Sequence, residues 1–308
     1  MPCVKVGRLC RAFLNYIVNV CSDFGWNSIE NRRFHYYDII LINGTFCCKY
    51  HSRGFIIKNN QGHYIMDKLT ISFSACAGMS LSMPDGILWI DAIHDKKTTV
   101  YSTLSPELID YMFHDSGFIG EDKHGPDIIA FTHCHTDHFS SRLCRMAKSN
   151  WPDTRLMLPH SYFPEQLLID GDRTDTMLGK TRISFIRSRH SGKERLHKSY
   201  FMHISDGETS ILISGDTSLS DPVFKEFAAE NHIDIAFMNY TWLLFAKGRS
   251  VIEDIIQPEH LIISHLPFEE DDKAKLRGTA FKGASMLKGI DDIRLLTEPK
   301  QKEILILK

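Results

Sequence analysis

Three imidazoles and one carboxylate lie within six consecutive positions of the chain, in the sequence His133-Cys134-His135-Thr136-Asp137-His138. Imidazole nitrogens and carboxylate oxygens are ligands that divalent transition metals commonly take from proteins. A single tetrahedral site rarely takes four side chains from so short a segment, so the spacing favours two neighbouring ions. Any one of these histidines taken alone would fit a His-rich surface loop. The complete pattern predicts a metal-binding site.

The segments on either side of this motif indicate how its side chains are presented. Residues 128–131 form an apolar run that predicts a buried strand, and residues 139–148 predict a helix. On an extended backbone, His133 and His135 would point to one side and Cys134 to the other. The carboxylate and the last histidine would then turn back with the first helical residues. We therefore expect the ligands on a strand-to-helix turn.

The pattern His-x-His-x-Asp-His after an apolar strand resembles the signature of the metallo-β-lactamase superfamily, the αββα-sandwich metallohydrolases. The resemblance covers roughly residues 68 to 308. It implies an α+β fold in which two packed mixed sheets carry helices on their outer faces. From residue 66 onward the sequence predicts strands first and then strands mixed with helices, an order that fits this layered architecture.

The resemblance also implies three further ligands, and the chain has a candidate for each in the family's order. His190 follows the alternating run 182–187, Asp216 stands in a Gly-Asp-Thr step after the apolar run 211–214, and His265 follows the apolar run 261–264. By the resemblance, His190 joins His133 and His135 on one ion. The second ion takes Asp137, His138 and His265, and Asp216 bridges the two ions.

Two such ions would lower the pKa of a bridging water from about 15.7 toward about 7, giving a hydroxide that attacks an acyl carbon or a phosphorus. Asp137 and Asp216 would be the catalytic carboxylates. Ligation by nitrogen and carboxylate without thiolates fits zinc, which is the default, and also admits manganese, iron or nickel. The resemblance therefore implies a dinuclear metal-dependent hydrolase that cleaves an ester, phosphodiester, lactone or amide bond.

Four residues outside the ligand set have competing interpretations. Asp91 ends the apolar run 87–90, where the resemblance implies a carboxylate that orients a metal-binding histidine, although a strand-end turn residue is the alternative. His160, His197 and His203 compete for the role given to His190. His203 falls inside a predicted strand, and His160 follows a proline at a predicted helix start, so we interpret both as structural.

A basic loop over residues 187–198 surrounds the third predicted histidine ligand and holds five Lys and Arg side chains. Such a loop is ordinarily solvated. Because this one would emerge at the metal site, Arg189, Lys193 and Arg195 could instead face an anionic substrate. His197 in the same loop could be a proton donor or a substrate contact. We therefore expect a small, anionic substrate.

Composition limits the remaining function classes. The net charge of −2 and the lack of a basic exosite argue against a nucleic-acid partner, and no run of eighteen apolar residues supports a membrane span. Five of the eight cysteines lie in residues 1–65, and no Cys-x-x-Cys pair occurs. Reduced thiols and a cytoplasmic location are therefore expected. No feature of the sequence indicates an oligomeric state.

Residues 1–65 carry a charge of +5 against −7 for residues 66–308, and they supply nothing that the predicted metal site needs. We expect an N-terminal extension there and a single catalytic domain over residues 66–308. An overextended reading frame is the favoured interpretation of the extension. A signal peptide is less favoured, because two asparagines interrupt the apolar stretch 12–20 and no small-x-small cleavage site follows.

Local patterns also predict the helices that cover the sheets. Ser105-Pro106-Glu107 has the form of a helix start, and further helices are expected from about residue 161, over residues 221–230 and over residues 271–288. Residues 304–307 predict a closing strand. These helices would lie outside the sheets.

Two other function classes share the implied fold. One is a redox enzyme such as a sulfur dioxygenase or a flavodiiron protein, but the latter would replace a ligand near Asp137 and carry a flavin domain, and the sequence shows neither. The other is a regulatory metal-binding protein without turnover. The intact set of ligands argues against it.

Overall fold

The computed structural model describes residues 68–307 except 97, 99 and 193–197, together with the backbone of four strands between residues 35 and 66. These four are β1 (His35–Ile42), β2 (Thr45–His51), β3 (Phe55–Asn59) and β4 (Gly62–Met66). They form two antiparallel hairpins, β1 with β2 and β3 with β4. The backbone separates into two compact units, of which the larger spans Leu69–Leu305. The larger unit contains every described candidate for the metal site.

The first sheet has seven strands in the order β10-β9-β8-β7-β6-β5-β18. Six of them come early in the chain: β5 (Lys68–Phe73), β6 (Met79–Met83), β7 (Gly86–Ile90), β8 (Ile128–Ala130), β9 (Arg155–Leu158) and β10 (Leu167–Leu168). Strands β5 to β7 form the predicted antiparallel meander, whereas β7 to β10 are parallel. Parallel strands bring their carboxyl ends to one edge, which is where the metal motif follows β8.

The second sheet has seven strands in the order β11-β12-β13-β14-β15-β16-β17. They are β11 (Arg173–Leu178), β12 (Thr181–Ser188), β13 (Ser199–Ser205), β14 (Ser210–Ile213), β15 (Ile235–Asn239), β16 (His260–Ser264) and β17 (Asp292–Leu295). Strands β11 to β14 are antiparallel and β14 to β17 are parallel. The last strand, β18 (Lys302–Ile306), returns to the first sheet beside β5.

Helices cover the outer faces of the two sheets. They are α1 (Pro106–His114), α2 (Ser116–Ile119), α3 (Ser141–Asn150), α4 (Pro222–Glu230), α5 (Thr241–Leu244), α6 (Ala246–Val251) and α7 (Leu276–Ala284). The helix start predicted at residue 105 is confirmed, since Ser105 Oγ accepts a hydrogen bond from Leu108 N and proline opens the helix. No helix within the described part of the chain is both long and apolar enough to cross a membrane.

Aromatic clusters join each sheet to its helices. On the first sheet, the fully buried Trp89 makes edge contacts with Phe113 of α1, Phe118 of α2 and Trp151 after α3. On the second sheet, Phe201 of β13 packs edge-on against Phe224 of α4, which contacts Trp242 of α5. Burial of rings of this size contributes much of the stability of such a core.

The predicted sandwich is confirmed: two packed mixed sheets with helices outside. The helix expected from about residue 161 is wrong. There Gln166 Oε1 accepts hydrogen bonds from Tyr162 N and Phe163 N, while its Nε2 donates to His160 O, so these contacts close residues 160–166 into a turn.

The long helix expected over residues 271–288 is shorter, Leu276–Ala284. A 3₁₀ turn, Glu269–Asp271, precedes it, and Lys275 has the left-handed φ of 55°. The Asp272 carboxylate accepts hydrogen bonds from Leu276 N and Arg277 N and so supplies the helix cap at this later position.

Candidate metal centre

The predicted metal donors all follow the carboxyl ends of strands, and these ends come from both sheets. The His-x-His-x-Asp-His segment follows β8, His190 follows β12, Asp216 follows β14 and His265 follows β16. In the sequence these segments are separated by long stretches of chain. The two-sheet arrangement brings them to one place.

A tight turn presents the motif itself. The carbonyl of His135 accepts hydrogen bonds from His138 N at 3.0 Å and Phe139 N at 2.9 Å. The helix α3 begins only at Ser141, where Ser140 Oγ caps Leu143 N. Asp137 and His138 therefore lie in the expected strand-to-helix turn, and the helix begins two residues later than position 139.

The first donor group consists of His133, His135 and His190. One ring nitrogen of each lies within 4.8 Å of the others, and the Nε2 atoms of His133 and His190 are 3.3 Å apart. Backbone contacts fix the position of His190: an isolated bridge pairs it with Thr217, and Ser191 N donates to Asp216 O at 2.7 Å. We refer to these three histidines as the first group.

The second donor group consists of Asp137, His138 and His265. The Nε2 atoms of His138 and His265 lie 3.0 Å apart, and Asp137 Oδ2 lies 4.0 Å from the first and 3.7 Å from the second. Both histidines are fully or almost fully buried. We refer to these three side chains as the second group.

Asp216 stands between the two groups. Its Oδ1 is 3.3 Å from Nε2 of His265, and its Oδ2 is 3.6 Å from Nε2 of His190 and 3.7 Å from Nε2 of His138. Asn239 Nδ2 donates to Oδ1 at 2.7 Å and holds the carboxylate in this orientation. The preceding Gly215 has φ of 49°, and a Cβ there would lie 3.0 Å from Thr132, so glycine permits the close approach of these two loops.

Asp91 contacts His138 of the second group on the side of the ring that faces away from the other donors. Its Oδ1 accepts a hydrogen bond from Thr132 N at 2.9 Å and its Oδ2 accepts one from Thr132 Oγ1 at 2.6 Å. Asp91 Oδ2 also lies 3.0 Å from Nδ1 of His138. With Nδ1 directed at this carboxylate, the Nε2 lone pair of His138 is turned toward the other donors.

The electrostatics of the site favour positive charge between the two groups. Burial would raise the pKa of Asp216, but the surrounding imidazoles, His265 first, outweigh burial and hold the pKa well below its usual range. Burial lowers the pKa of His133, His190 and His265, so these imidazoles are neutral donors at pH 7. His138 is the exception, because the carboxylates, Asp91 first, overcome its burial and raise its pKa to about 10.

The donor chemistry fits two divalent cations. Neutral imidazoles and ionised carboxylates are the protonation states that bind metal, and the carboxylates offset the charge of the ions. His138, protonated at neutral pH without metal, would release its Nε2 proton when an ion binds. Donor atoms bound to one tetrahedral ion at about 2.0–2.2 Å lie roughly 3.3–3.6 Å apart. The separations around Asp216 and within each group are near that range.

Of the four substrate residues predicted in the basic loop, the structure describes Arg189. Arg189 is exposed, and its backbone N–H donates to the Asp221 carboxylate. Lys193, Arg195 and His197 lie outside the described residues. Of the other two competing histidines, His203 lies within β13, and neither His160 nor His203 belongs to the donor groups found among the described residues.

Sequence reasoning missed three side chains at the centre: Cys76, Tyr101 and Tyr240. Cys76 is fully buried with its Sγ beside His265. Burial first, and then the carboxylates of the site, raise the pKa of its thiol. The ring of Tyr101 packs edge-on against His265 at 4.2 Å between centroids. Tyr101 and Tyr240 hydrogen-bond to each other, and burial raises the pKa of both hydroxyls.

Only a weak signal marked Cys76 in the sequence. It lies in the run of small residues 74–78 after β5, which reads as an ordinary turn. In the structure Gly78 packs so closely that a Cβ would lie 2.7 Å from Asp91 O, so the small residues let this turn approach the strand end that carries Asp91. The two tyrosines had no distinguishing local pattern.

No protein-family profile matches the chain, and no curated protein sequence is detectably similar to it. Solved structures are similar. Igni18, a metallo hydrolase from the archaeon Ignicoccus hospitalis, shares 15% identity with a TM-score of 0.54, covering 78% of this chain and 100% of its own. The metallo-β-lactamase fold protein YhfI from Bacillus subtilis shares 16% identity with a TM-score of 0.51, covering 77% and 99% respectively.

A third structure is CmlA, a diiron β-hydroxylase from Streptomyces venezuelae. It shares 14% identity with a TM-score of 0.52, and the match covers 79% of this chain but only 54% of CmlA. At such identities the likeness concerns the fold alone. The fold that the motif predicted is thereby confirmed.

Proposed function

Because this chain has the metallo-β-lactamase fold and gathers seven His and Asp donors, we propose that it is a dinuclear metal-dependent hydrolase. Its substrate would be a small anion that contains an ester, phosphodiester, lactone or amide bond. The observation that carries the proposal is the position of Asp216, whose Oδ1 faces the second group while its Oδ2 lies near His190 of the first group.

We follow the division of ligands that the family resemblance implies: the first group would hold one ion, the second group the other, and Asp216 would contribute to both. When bound, two divalent ions lower the pKa of a shared water and offset negative charge on the leaving oxygen. Zinc is the default occupant, with manganese, iron and nickel as alternatives.

Other side chains of the protein would orient the metal-binding groups. Asn239 fixes the Asp216 carboxylate, and Asp91 fixes the ring of His138. Tyr101 and Tyr240 remain protonated at neutral pH, so their hydroxyl groups can act as hydrogen-bond donors beside His265. Neutral donors in a buried site can stabilise charge that develops on a substrate oxygen.

We assign substrate preference to the basic loop. Two of its cations are engaged elsewhere: Arg187 lies over the ring of Tyr200, and Lys198 Nζ contacts Asp170 Oδ1 at 2.7 Å. Arg189, Lys193 and Arg195 are therefore the candidates to face an anion, with His197 as a proton donor or substrate contact. We propose that the protein is a cytoplasmic enzyme that acts on small molecules and has no nucleic-acid or membrane partner.

Hydrolysis is tested with zinc-loaded protein on a panel of esters, lactones, lactams and phosphodiesters, each in a charged and an uncharged form. We expect turnover of at least one bond type that chelation abolishes and zinc restores. Protein that holds two ions and hydrolyses none of these bonds would contradict the proposal.

The basic loop is tested by replacing Arg189, Lys193 and Arg195 together with Ala. The KM for anionic substrates should rise roughly tenfold or more, because favourable charge near the site is lost, while the KM for neutral esters changes much less. Replacement of Arg182, an exposed residue of β12, by Ala provides a control. Equal effects on both substrate types would show that the loop is merely solvated.

Iron-dependent oxidation is a second candidate, favoured by the fold shared with CmlA, which is described as a diiron β-hydroxylase. Histidine and carboxylate donors suit iron as well as zinc. Oxygen uptake by iron-loaded protein in the presence of a reductant and the same panel of compounds separates the two functions. Substrate-dependent oxygen uptake without hydrolysis would favour the oxidative function.

A further inference from the structure

Asn239 is the last residue of β15 and lies beside Asp216 at the metal centre. The residue is buried, and its Nδ2 donates to Asp216 Oδ1 at 2.7 Å. A hydrogen bond to an ionised carboxylate is among the stronger kinds that proteins form. Asn239 was not among the site residues predicted from the sequence, so its role is a separate question.

Two further hydrogen bonds fix the orientation of the Asn239 amide. Its Oδ1 accepts a hydrogen bond from Thr241 N at 3.0 Å, and its backbone N–H donates to Ser214 Oγ at 3.0 Å. A backbone N–H can only donate, so the amide oxygen must face Thr241 and the amide nitrogen must face the carboxylate. Asn239 is therefore a fixed hydrogen-bond donor toward Asp216.

The two carboxylate oxygens of Asp216 have different surroundings. Oδ1 receives the amide hydrogen bond and lies 3.3 Å from Nε2 of His265. Oδ2 lies 3.6 Å from Nε2 of His190 and 3.9 Å from Nε2 of His133, both in the first group, and 3.7 Å from Nε2 of His138. Oδ2 is thus directed mainly at the first group, and Oδ1 is the oxygen that reaches His265.

An aspartate does not keep such a division without a partner, because the torsion that turns its carboxylate is soft. The neighbouring imidazoles present Nε2 to Asp216, and an Nε2 that binds metal has no proton to donate. The amide of Asn239 keeps its protons when metal binds. It is also neutral, so it orients the carboxylate without cancelling the charge that the ions need.

We infer that Asn239 is a positioning residue that directs Oδ1 of Asp216 to the second position. The inference rests on the proposed function only in requiring that metal binds. Without the amide, a carboxylate that turns toward the first group still serves that ion, while its other oxygen leaves the second. Occupancy of the second position should therefore depend on Asn239 much more than occupancy of the first.

Asn239→Leu tests this dependence, because leucine has a similar size and no hydrogen-bond donor. Zinc dissociation constants are measured in full-length protein by competition with a chromophoric chelator. The constant of the second position should rise roughly 10–100-fold, as is typical when a hydrogen-bond partner of a metal ligand is removed. The constant of the first position should change much less.

Two backgrounds show which constant belongs to which position. His190→Ala leaves the second position intact, and His265→Ala leaves the first intact. Adding Asn239→Leu should weaken zinc binding strongly in the His190→Ala protein and only slightly in the His265→Ala protein. Equal weakening in both backgrounds, or none in either, would overturn the inference.

Asn231→Leu provides the matched control. Asn231 is half-buried at the end of α4, and its Nδ2 donates at the same distance of 2.7 Å, but to the backbone oxygen of Phe227. Its replacement should leave both zinc constants unchanged. If it weakens zinc binding as much as Asn239→Leu does, loss of any such amide explains the effect and the inference fails.

A crystal structure of the unaltered protein with zinc tests the inference even if Asn239→Leu fails to fold. Nδ2 of Asn239 should stay within hydrogen-bond distance of Asp216 Oδ1, with Oδ1 on the second ion and Oδ2 on the first. A carboxylate that binds both ions through one oxygen, or whose hydrogen-bonded oxygen lies on the first ion, would overturn the inference. The expected arrangement in a protein that hydrolyses none of the tested bonds would contradict the proposed function alone.

Discussion

The two donor groups differ in how the backbone presents them. In the first group, His133, His135 and His190 all have ordinary negative φ angles. In the second, the donor His265 and the adjoining Asp91 have left-handed φ angles of 67° and 49°. Conformations of this kind cost roughly 1–3 kcal/mol each and persist only where the surrounding structure enforces them.

The groups also differ in charge. Each joins the segment after β8 of the first sheet to a strand end of the second sheet, but the first group consists of imidazoles alone, whereas the second contains a carboxylate and adjoins Asp91 and Cys76. The comparison indicates that the second ion depends more than the first on packing that holds a strained and negatively charged pocket. The two positions should therefore respond differently to the same kind of change.

The largest effect is expected from Asp216, which serves both groups. Asp216→Ala should abolish detectable turnover and release at least one ion, because each ion loses a ligand. Metal ions contribute several kcal/mol to transition-state stabilisation, so kcat/KM should fall by roughly 10³-fold or more. Activity assays and elemental analysis on the same preparation measure both quantities.

Two variants make the Asp216 result interpretable. Asp216→Asn keeps the size of the side chain and removes its charge, so it should give the same loss without a cavity. Asp153→Ala removes an exposed carboxylate outside the site and should leave metal content and activity unchanged. Full activity in both Asp216 variants would rule out a bridging role.

A selective effect is expected when each group loses one histidine. His190→Ala should lower the metal content from two ions to one and leave the second position filled. His265→Ala should also leave one ion, but in the first position. In cobalt-loaded protein the visible spectra of the two variants should differ, because the remaining ion has a carboxylate of the second group among its ligands in His190→Ala and three imidazoles in His265→Ala. Identical spectra for the two variants would show that the groups do not bind ions separately.

The smallest effect is a pH dependence of stability near the second group. His94 is fully buried, its Nε2 donates to Ala75 O beside Cys76, and burial lowers its pKa from 6.5 to about 4. His94 binds a proton less readily in the folded protein than in the unfolded chain. Its contribution to the free energy of unfolding is therefore fully present above pH 6.5 and is lost as the pH falls toward 4. At pH 5 the loss is about 2 kcal/mol.

Denaturant unfolding of metal-free protein at pH 7 and pH 5 measures this loss. In His94→Gln the difference between the two pH values should be smaller by about 2 kcal/mol, since the amide does not titrate. The titrating ligands are common to both proteins and cancel in the comparison. An unchanged difference would mean that His94 does not contribute.

Much of the fold follows from local patterns. Apolar runs and alternation predicted the central strands, and the Ser105-Pro106 and Asp221-Pro222 steps begin helices as expected. The two wrong helix predictions coincide with side-chain contacts to the backbone. Gln166 closes a turn where one helix was expected, and Asp272 caps the other helix at a later residue than expected. Propensity alone does not reveal such contacts.

The candidate site likewise contains residues that could be predicted from the sequence and residues that could not. The six-residue motif could be proposed from the sequence itself. The donors at later strand ends could be proposed from the family resemblance, because each follows a recognisable apolar strand. Cys76 could not, since it meets His265 across 189 positions of sequence and lies in a turn with no periodic pattern. The position of Cys76 beside His265 depends on the two sheets bringing the turn at residues 74–78 to the end of β16.

The central claim, two metal positions of different character, is tested most directly by the metal content of carefully loaded full-length protein. Elemental analysis combined with protein quantitation should give two transition-metal ions per chain. Stepwise removal by a chelator should release them in two phases, because the two donor sets differ. One ion per chain or none, after loading with zinc, cobalt, manganese and iron in turn, would contradict a dinuclear centre.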